Sequence, residues 1–203
     1  MRNKHEKIEK NSLLMAILIA IVISIGGLIE IVPLFILDSA VPAVKGVKPY
    51  TPLALEGRDI YIKEGCYNCH SQMIRPFRAE TERYGSYSLA GEFVYDRPFQ
   101  WGSKRTGPDL ARVGGKYPDS WHVQHMRDPA SMVPGTVMPR YPWLEKNELK
   151  TDLIVKKMEV LRKLGHPYTD AEIAGAEQSI TNKTELDALI AYLQSLGTAV
   201  KRR

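Results

Sequence analysis

The longest apolar stretch of the chain lies near its start, at residues 13–37. It follows a polar leader with the basic residues Arg2, Lys4, Lys7 and Lys10. A helix of this length spans roughly 37 Å, enough to cross a hydrocarbon core of about 30 Å with some tilt. A cleaved leader peptide is the alternative, but its apolar part is only about 7–15 residues long. The pattern therefore predicts a retained transmembrane anchor at residues 11–37.

The basic leader, residues 1–10, also predicts the orientation of the anchor. Positive charges beside a span remain on the cytoplasmic side. Residues 38–50, with two prolines and a glycine, predict a linker outside the membrane. We expect a single-pass protein of a bacterial inner membrane, with its N-terminus in the cytoplasm and residues 51–203 in the periplasm.

Residues 51–203 have the pattern of a mainly α-helical domain. Thr51 is a good N-cap and Pro52 suits the first turn of a helix that runs to about Glu64. Apolar spacing and capping signals predict further helices at 120–127, 153–164, from 169 onward, and at 184–196. Because no strand pattern or internal repeat occurs, the predicted fold class is mainly α.

Both cysteines of the chain lie just after the first of these helices. Cys66 and Cys69 are separated by two residues, and His70 follows directly. C-x-x-C-H is the attachment motif of a c-type haem, in which the thiols form thioethers with the two vinyl groups. The histidine is then placed to bind the iron. The motif predicts one covalent haem c, attached at Cys66 and Cys69 with His70 as an axial ligand.

Three other interpretations of the cysteines remain open. A thioredoxin-like pair follows a buried strand, whereas residues 55–65 are polar and helix-like. A zinc site needs a second pair of ligands, and none is suitably spaced. A structural disulfide across two residues is the third alternative.

The second axial position requires another ligand. A methionine sulfur suits an electron carrier, because it raises the reduction potential and closes the iron to other ligands. Met138 lies in a loop with prolines on either side, which favours a fixed geometry. Met132 is the second candidate. His122 and His125 would give two histidine ligands, but their helical positions beside a tryptophan favour packing or surface exposure.

The second ring nitrogen of His70 needs an acceptor that orients the ring, commonly a backbone carbonyl group. The candidate is the Gly-Pro-Asp-Leu segment at 107–110, in which Pro108 would supply the carbonyl oxygen.

Residues 71–119 lack regular periodicity and are rich in Arg, Tyr, Gly and Pro. A stretch this long is uncommon inside a compact domain and is often functional. We expect a long irregular insertion, an arm that faces a partner or brings arginines to the haem propionates. A surface loop with a short hairpin at 87–94 is the alternative.

The net charge of +5 is only mildly basic. No run of Lys and Arg with interleaved aromatic residues occurs, so nucleic acid is not an expected partner. Two haem propionates would offset part of the surplus.

The order of these motifs resembles that of a class I cytochrome c. The chain more closely resembles the membrane-anchored mono-haem subunit (CcoO or FixO family, subunit II) of cbb3-type cytochrome c oxidases. The resemblance covers nearly the whole chain. It rests on the single anchor, the Arg- and Tyr-rich insertion, and the segments 64–76, 107–117 and 128–139.

The resemblance implies haem ligands His70 and Met138 and thioethers at Cys66 and Cys69. It implies that electrons come from another c-type cytochrome, either a subunit or a soluble protein, and pass to haem b of a catalytic haem–copper subunit. That partner would reduce O2 and pump protons, so this chain would not be an enzyme on its own. Alternatives are the cytochrome subunit of nitric oxide reductase, a free-standing membrane cytochrome, and an anchored thiol oxidoreductase without haem.

Overall fold

The computed structural model describes residues 4–37 and 41–199, without the side chains of Lys4 and Phe35. Parts of the predicted leader (1–3), linker (38–40) and C-terminal domain (200–203) lie outside the described residues. The chain divides into two units, Met1–Pro42 and Ala43–Arg203.

The N-terminal unit contains a short helix, α1 (Lys4–Glu9), and a long apolar one, α2 (Ser12–Ile36). The side chain of Asn11 begins α2 by accepting a hydrogen bond from the backbone N–H of Leu14 at 3.0 Å. The segment Ser12–Leu34 is long and apolar enough to cross a membrane, and none of its residues is buried within the chain. Its apolar side chains therefore need an apolar environment that the described chain does not provide.

The C-terminal unit is helical, and the described residues contain no β-sheet. Isolated bridges join His70 to Arg105 and Glu148 to Thr184. The helices are α3 (Pro52–Lys63), α4 (Arg78–Tyr84), α5 (Asp119–Arg127), α6 (Pro129–Met132), α7 (Ile154–Lys163), α8 (Asp170–Ala174), α9 (Ala176–Ile180) and α10 (Glu185–Ser195). The predicted fold class, mainly α with one N-terminal apolar helix, is confirmed.

Side-chain caps fix the starts of three helices where the sequence predicted them. Thr51 Oγ1 accepts from the backbone N–H of Ala54 at 3.3 Å. Thr169 and Glu172 form a reciprocal capping box at α8. Thr184 begins α10 in the same way. The predicted helix after Thr169 is interrupted at Gly175, so that two short helices, α8 and α9, replace a continuous one.

The crossing of α3 and α10 forms the centre of the main core. A Cβ atom built on Gly57 would lie 1.8 Å from the carbonyl oxygen of Ala188 and 2.9 Å from Cβ of Tyr192. Only a glycine therefore permits this approach. The rings of Tyr61 and Tyr192 pack 5.5 Å apart beside the crossing. A second cluster joins α7, α8 and α9 to Leu55 of α3.

The insertion, residues 71–119, folds as part of the C-terminal unit. Its backbone forms α4 and a 3₁₀ turn at Ala90–Glu92. No strand occurs at 87–94, so the hairpin alternative is wrong. A small apolar cluster lies beneath the segment and consists of Ile74, Phe93 and Ala111.

Ion pairs between side chains stabilise the fold of the insertion. Glu80 accepts hydrogen bonds from Arg75 and Arg105, the latter at 2.6 Å. These bonds, those of Arg75 first, lower the pKa of Glu80 to about 2. Arg105 also pairs with Asp109 at 3.1 Å. The segments before and after α4 are thereby tied together.

Two further pairs are buried. Arg112 contacts both carboxylate oxygens of Glu92, at 2.6 and 2.9 Å. Arg58, on α3, donates from Nε to Asp96 at 2.9 Å. Removing one member of such a pair leaves a buried charge without its partner, which is strongly destabilising.

His166 is a buried imidazole after α7. It is 3% exposed, and its ring lies between those of Tyr95, at 5.1 Å, and Tyr168, at 5.9 Å. Neither ring nitrogen has a hydrogen-bond partner among the described residues. Burial, and after it the nearby charges of Arg97 and Arg58, lower the pKa of His166 to about 4. The neutral form is therefore the one that fits the fold.

We predict that Gly57→Ala destabilises the C-terminal unit by about 3 kcal/mol, because the methyl group would overlap backbone atoms of α10. Chemical unfolding monitored by helical circular dichroism measures the change. Gly175→Ala is the control, since its Cβ would meet only Ala171 O at 3.4 Å. Equal stability of the two variants would contradict the close crossing.

We predict that stability falls as the pH decreases from 6.5 toward 4. In the folded chain the pKa of His166 is about 4, against 6.5 for an ordinary histidine, so the unfolded chain binds the proton first. The loss between pH 7 and pH 5 amounts to about 2 kcal/mol. Denaturant titrations at both pH values should show that His166→Gln lacks this part of the pH dependence. An unchanged dependence in the variant would disprove the assignment.

Candidate functional site

A cavity of about 560 Å³ lies inside the C-terminal unit. Its walls come from the C-x-x-C-H segment, the loop 106–113, α5, the loop 133–141 and α10. The lining includes Cys66, Cys69, His70, Pro108 and Met138. The predicted attachment and ligand residues are thus brought to one place.

The end of α3 positions the two cysteines. Gly65 adopts a left-handed conformation with φ of 71°, which turns the chain sharply after the helix. Residues Cys66–Asn68 then form a 3₁₀ turn, and the N–H of His70 donates to the carbonyl of Cys66 at 2.9 Å. Both cysteines are free thiols. Burial raises the pKa of Cys66 to about 11, unlike a redox-active thiol, whose pKa is lowered.

The ring of His70 is held by the loop 106–113, which lies within the insertion. Its Nδ1 lies 2.8 Å from the carbonyl oxygen of Pro108. A hydrogen bond there leaves Nε2 as the nitrogen available to a metal. The ring also packs closely against Gly107, where an added Cβ would lie 2.2 Å from Cε1. On the α3 side, Tyr61 donates its hydroxyl to the carbonyl of His70 at 2.7 Å.

Two backbone hydrogen bonds lock these segments together. The N–H of Gly107 donates to Cys69 at 3.0 Å, and that of Leu110 donates to Ser71 at 2.9 Å. The His70 segment is therefore fixed from two directions, by α3 and by the loop.

The two candidate methionines differ in position. Met138 is half-buried and lines the cavity, and its N–H donates to Thr136 Oγ1 at 3.2 Å. Met132 ends α6 and does not line the cavity. Met126, on α5, also lines the cavity, but it is buried in the main core. Of the two methionines considered from the sequence, Met138 and not Met132 lines the cavity.

His122 and His125 line the cavity, which their helical setting did not predict. The ring of His125 stacks on Trp121 at 4.5 Å, and Trp121 stacks on Tyr117 at 4.1 Å. Burial lowers the pKa of both histidines. Their spacing of three residues places them on one face of α5 with Met126, which was the available signal, and the structure shows that this face lines the cavity.

The cavity suits a haem. Two thiols, an imidazole and a thioether converge on it, and these are the side chains that attach a porphyrin and bind its iron. The His70 ring occupies the space beside Gly107, because an added Cβ there would lie within 2.7 Å of three ring atoms. The volume is in the range of small-molecule sites that enclose most of their ligand.

A helical domain with a haem-sized cavity, following one candidate membrane-spanning helix, defines the class of anchored mono-haem cytochromes. A family model described as "Cytochrome C oxidase, mono-heme subunit/FixO" matches residues 5–185. The chain belongs to this family, and the resemblance found in the sequence is confirmed. No curated protein matched the chain significantly. Family membership gives one haem, a role in electron transport, and a catalytic subunit of a cytochrome c oxidase as partner.

We predict that Gly107→Ala lowers the haem content of the purified chain severalfold, because the methyl group would displace the His70 ring. Haem per chain, measured as the pyridine haemochrome, tests this. Gly175→Ala should retain full haem content. Normal incorporation in Gly107→Ala would show that the contact with His70 does not matter.

Proposed function

We propose that this chain relays electrons through one covalent haem c to the catalytic subunit of a haem–copper oxidase. Electrons would come from another c-type cytochrome, either a subunit or a soluble protein, and pass to haem b of the catalytic subunit. That subunit would reduce O2 and pump protons. The observation that carries the proposal is the convergence of Cys66, Cys69, His70 and Met138 on one cavity in a member of the FixO family.

Each residue has a separate task in this proposal. Cys66 and Cys69 would hold the haem by thioether bonds, and His70 and Met138 would bind its iron. The carbonyl of Pro108 orients His70 through its Nδ1–H and raises the basicity of the ligating nitrogen. The bound haem supplies a one-electron iron couple. The buried side chains of α10 and α5 exclude water from the site.

Two protein ligands to the iron would suit a relay. With His70 and Met138 both holding the iron, the site would take and release single electrons and would not bind O2. Reduction of O2 would therefore belong to the partner subunit. The raised pKa of Cys66 argues against the thiol oxidoreductase alternative.

The location follows from the anchor. Residues 1–10 lie in the cytoplasm, 11–37 cross the inner membrane and 51–203 lie in the periplasm, with 38–50 as linker. The exposed apolar surface of α2 supports the span, and the basic leader supports the orientation. Residues 71–119 would face a partner subunit, since exposed Phe77 and Tyr87 lie on that segment.

Purification of the chain in mild detergent tests the assembly. We expect it to be isolated with a haem–copper subunit that contains haem b and reduces O2 when supplied with reduced cytochrome c. A monomer would support the free-standing cytochrome instead. A partner that reduces nitric oxide and not O2 would overturn the oxidase assignment.

We predict that Met138→Leu lowers the reduction potential by on the order of 0.1 V, because the thioether favours ferrous iron. The weak sulfur-to-iron band at the red end of the visible spectrum should also disappear. Optical redox titration measures both. Met132→Leu is the control and should behave as the unaltered chain. The reverse pattern would make Met132 the ligand.

A further inference from the structure

Two imidazoles of the cavity wall have unmet hydrogen-bonding capacity. His122 Nε2 and His125 Nδ1 are buried and have no hydrogen-bond partner among the described residues. Both side chains line the cavity, and both lie on α5. Buried polar atoms in native proteins are almost always paired, so each indicates a missing partner. A ligand in the cavity with hydrogen-bond acceptors at this wall would supply that partner.

Two cations of the cavity wall lack a carboxylate partner. Arg83 contacts the ring of Tyr84 at 5.2 Å, and Lys116 contacts that of Tyr117 at 5.4 Å. Among the described residues, neither forms an ion pair with a side chain. Both are exposed, so they line the cavity where it meets solvent. The other charged side chains of the lining, in contrast, are paired.

The remaining charges of the lining are engaged elsewhere. Arg112 is held by both oxygens of Glu92. Asp109 accepts hydrogen bonds from Ser71 at 2.8 Å and from Arg105 at 3.1 Å. The described lining therefore has an excess of two positive charges, at Arg83 and Lys116. An occupant with two negative charges would balance them.

We propose that Arg83, Lys116, His122 and His125 bind the two propionate carboxylates of the haem. This rests on the proposed function, since it requires a haem in the cavity. The propionates are the only carboxylates that a haem possesses, and the rest of its periphery is apolar. Of the basic residues in the insertion that line the cavity, Arg83 and Lys116 are those whose charge is available. Cys66 and Cys69 would take the vinyl groups of the haem.

The assignment has a consequence for the reduction potential. A cation beside the propionates disfavours the oxidised haem, which has one more positive charge than the reduced haem. Removing Arg83 or Lys116 should therefore lower the potential while the axial ligands remain in place. A role for these exposed residues other than contact with the propionates would leave the propionate vibrations of the haem unchanged.

The test compares Arg83→Gln, Lys116→Gln and the double variant in the full-length chain within its complex. We expect the double variant to shift the one-electron equilibrium about tenfold toward the oxidised form, which is about 59 mV. The propionate bending bands of the resonance Raman spectrum should shift as well. The control is Arg78→Gln on the same helix, because Arg78 pairs with exposed Glu82 and does not line the cavity. It should leave the bands unchanged.

His122→Gln and His125→Gln test the second half of the assignment. Each retains an amide donor, so the Raman bands should move less than in His122→Leu and His125→Leu. If the leucine variants do not fold, Arg83→Gln and Lys116→Gln still test the assignment, because both residues are exposed. A double cation variant with the potential and Raman bands of Arg78→Gln would overturn the assignment. If the unaltered chain gave no covalent haem in the pyridine haemochrome assay, the proposed function would fail as well.

Discussion

The close approach of α3 and α10 at Gly57 is the contact on which the rest of the C-terminal unit depends. It allows one helix to deliver the cysteine segment while the other supplies Leu189 and Leu193 to the cavity wall. Tyr192 extends the same contact, because its hydroxyl exchanges hydrogen bonds with Gln72, two residues after His70. The crossing of α3 and α10 therefore positions two walls of the cavity, and the loops 106–113 and 133–141 complete it.

The insertion is stabilised by a different kind of interaction. It has only a small apolar cluster of its own, and ion pairs connect its turns to each other and to α3. Such pairs are directional, so they fix a segment with little periodic structure in one arrangement. Most charged side chains of the insertion take part in these pairs. Arg83 and Lys116 differ from them, because they line the cavity and form no ion pair among the described residues.

Local signals in the sequence predicted the parts of the fold that depend on neighbouring residues. The caps at Thr51 and Thr184 and the C-x-x-C-H turn are of this kind. The fold of the insertion could not be predicted, because its pairs join residues far apart in sequence, such as Arg58 and Asp96. The inward orientation of His122 and His125 depends on how α5 packs against the cavity. A helical pattern alone does not distinguish that wall from the surface.

The fixation of His70 from both sides bears on the rate of electron transfer. The ring is hydrogen-bonded to Pro108, packed against Gly107 and tied through its carbonyl to Tyr61. As the iron ligand of the proposed function, a ring held in this way would keep its position when the charge of the metal changes. The nuclear rearrangement at each electron transfer would then be small. The scaffold that orients one imidazole would thus also favour rapid exchange of electrons with a partner.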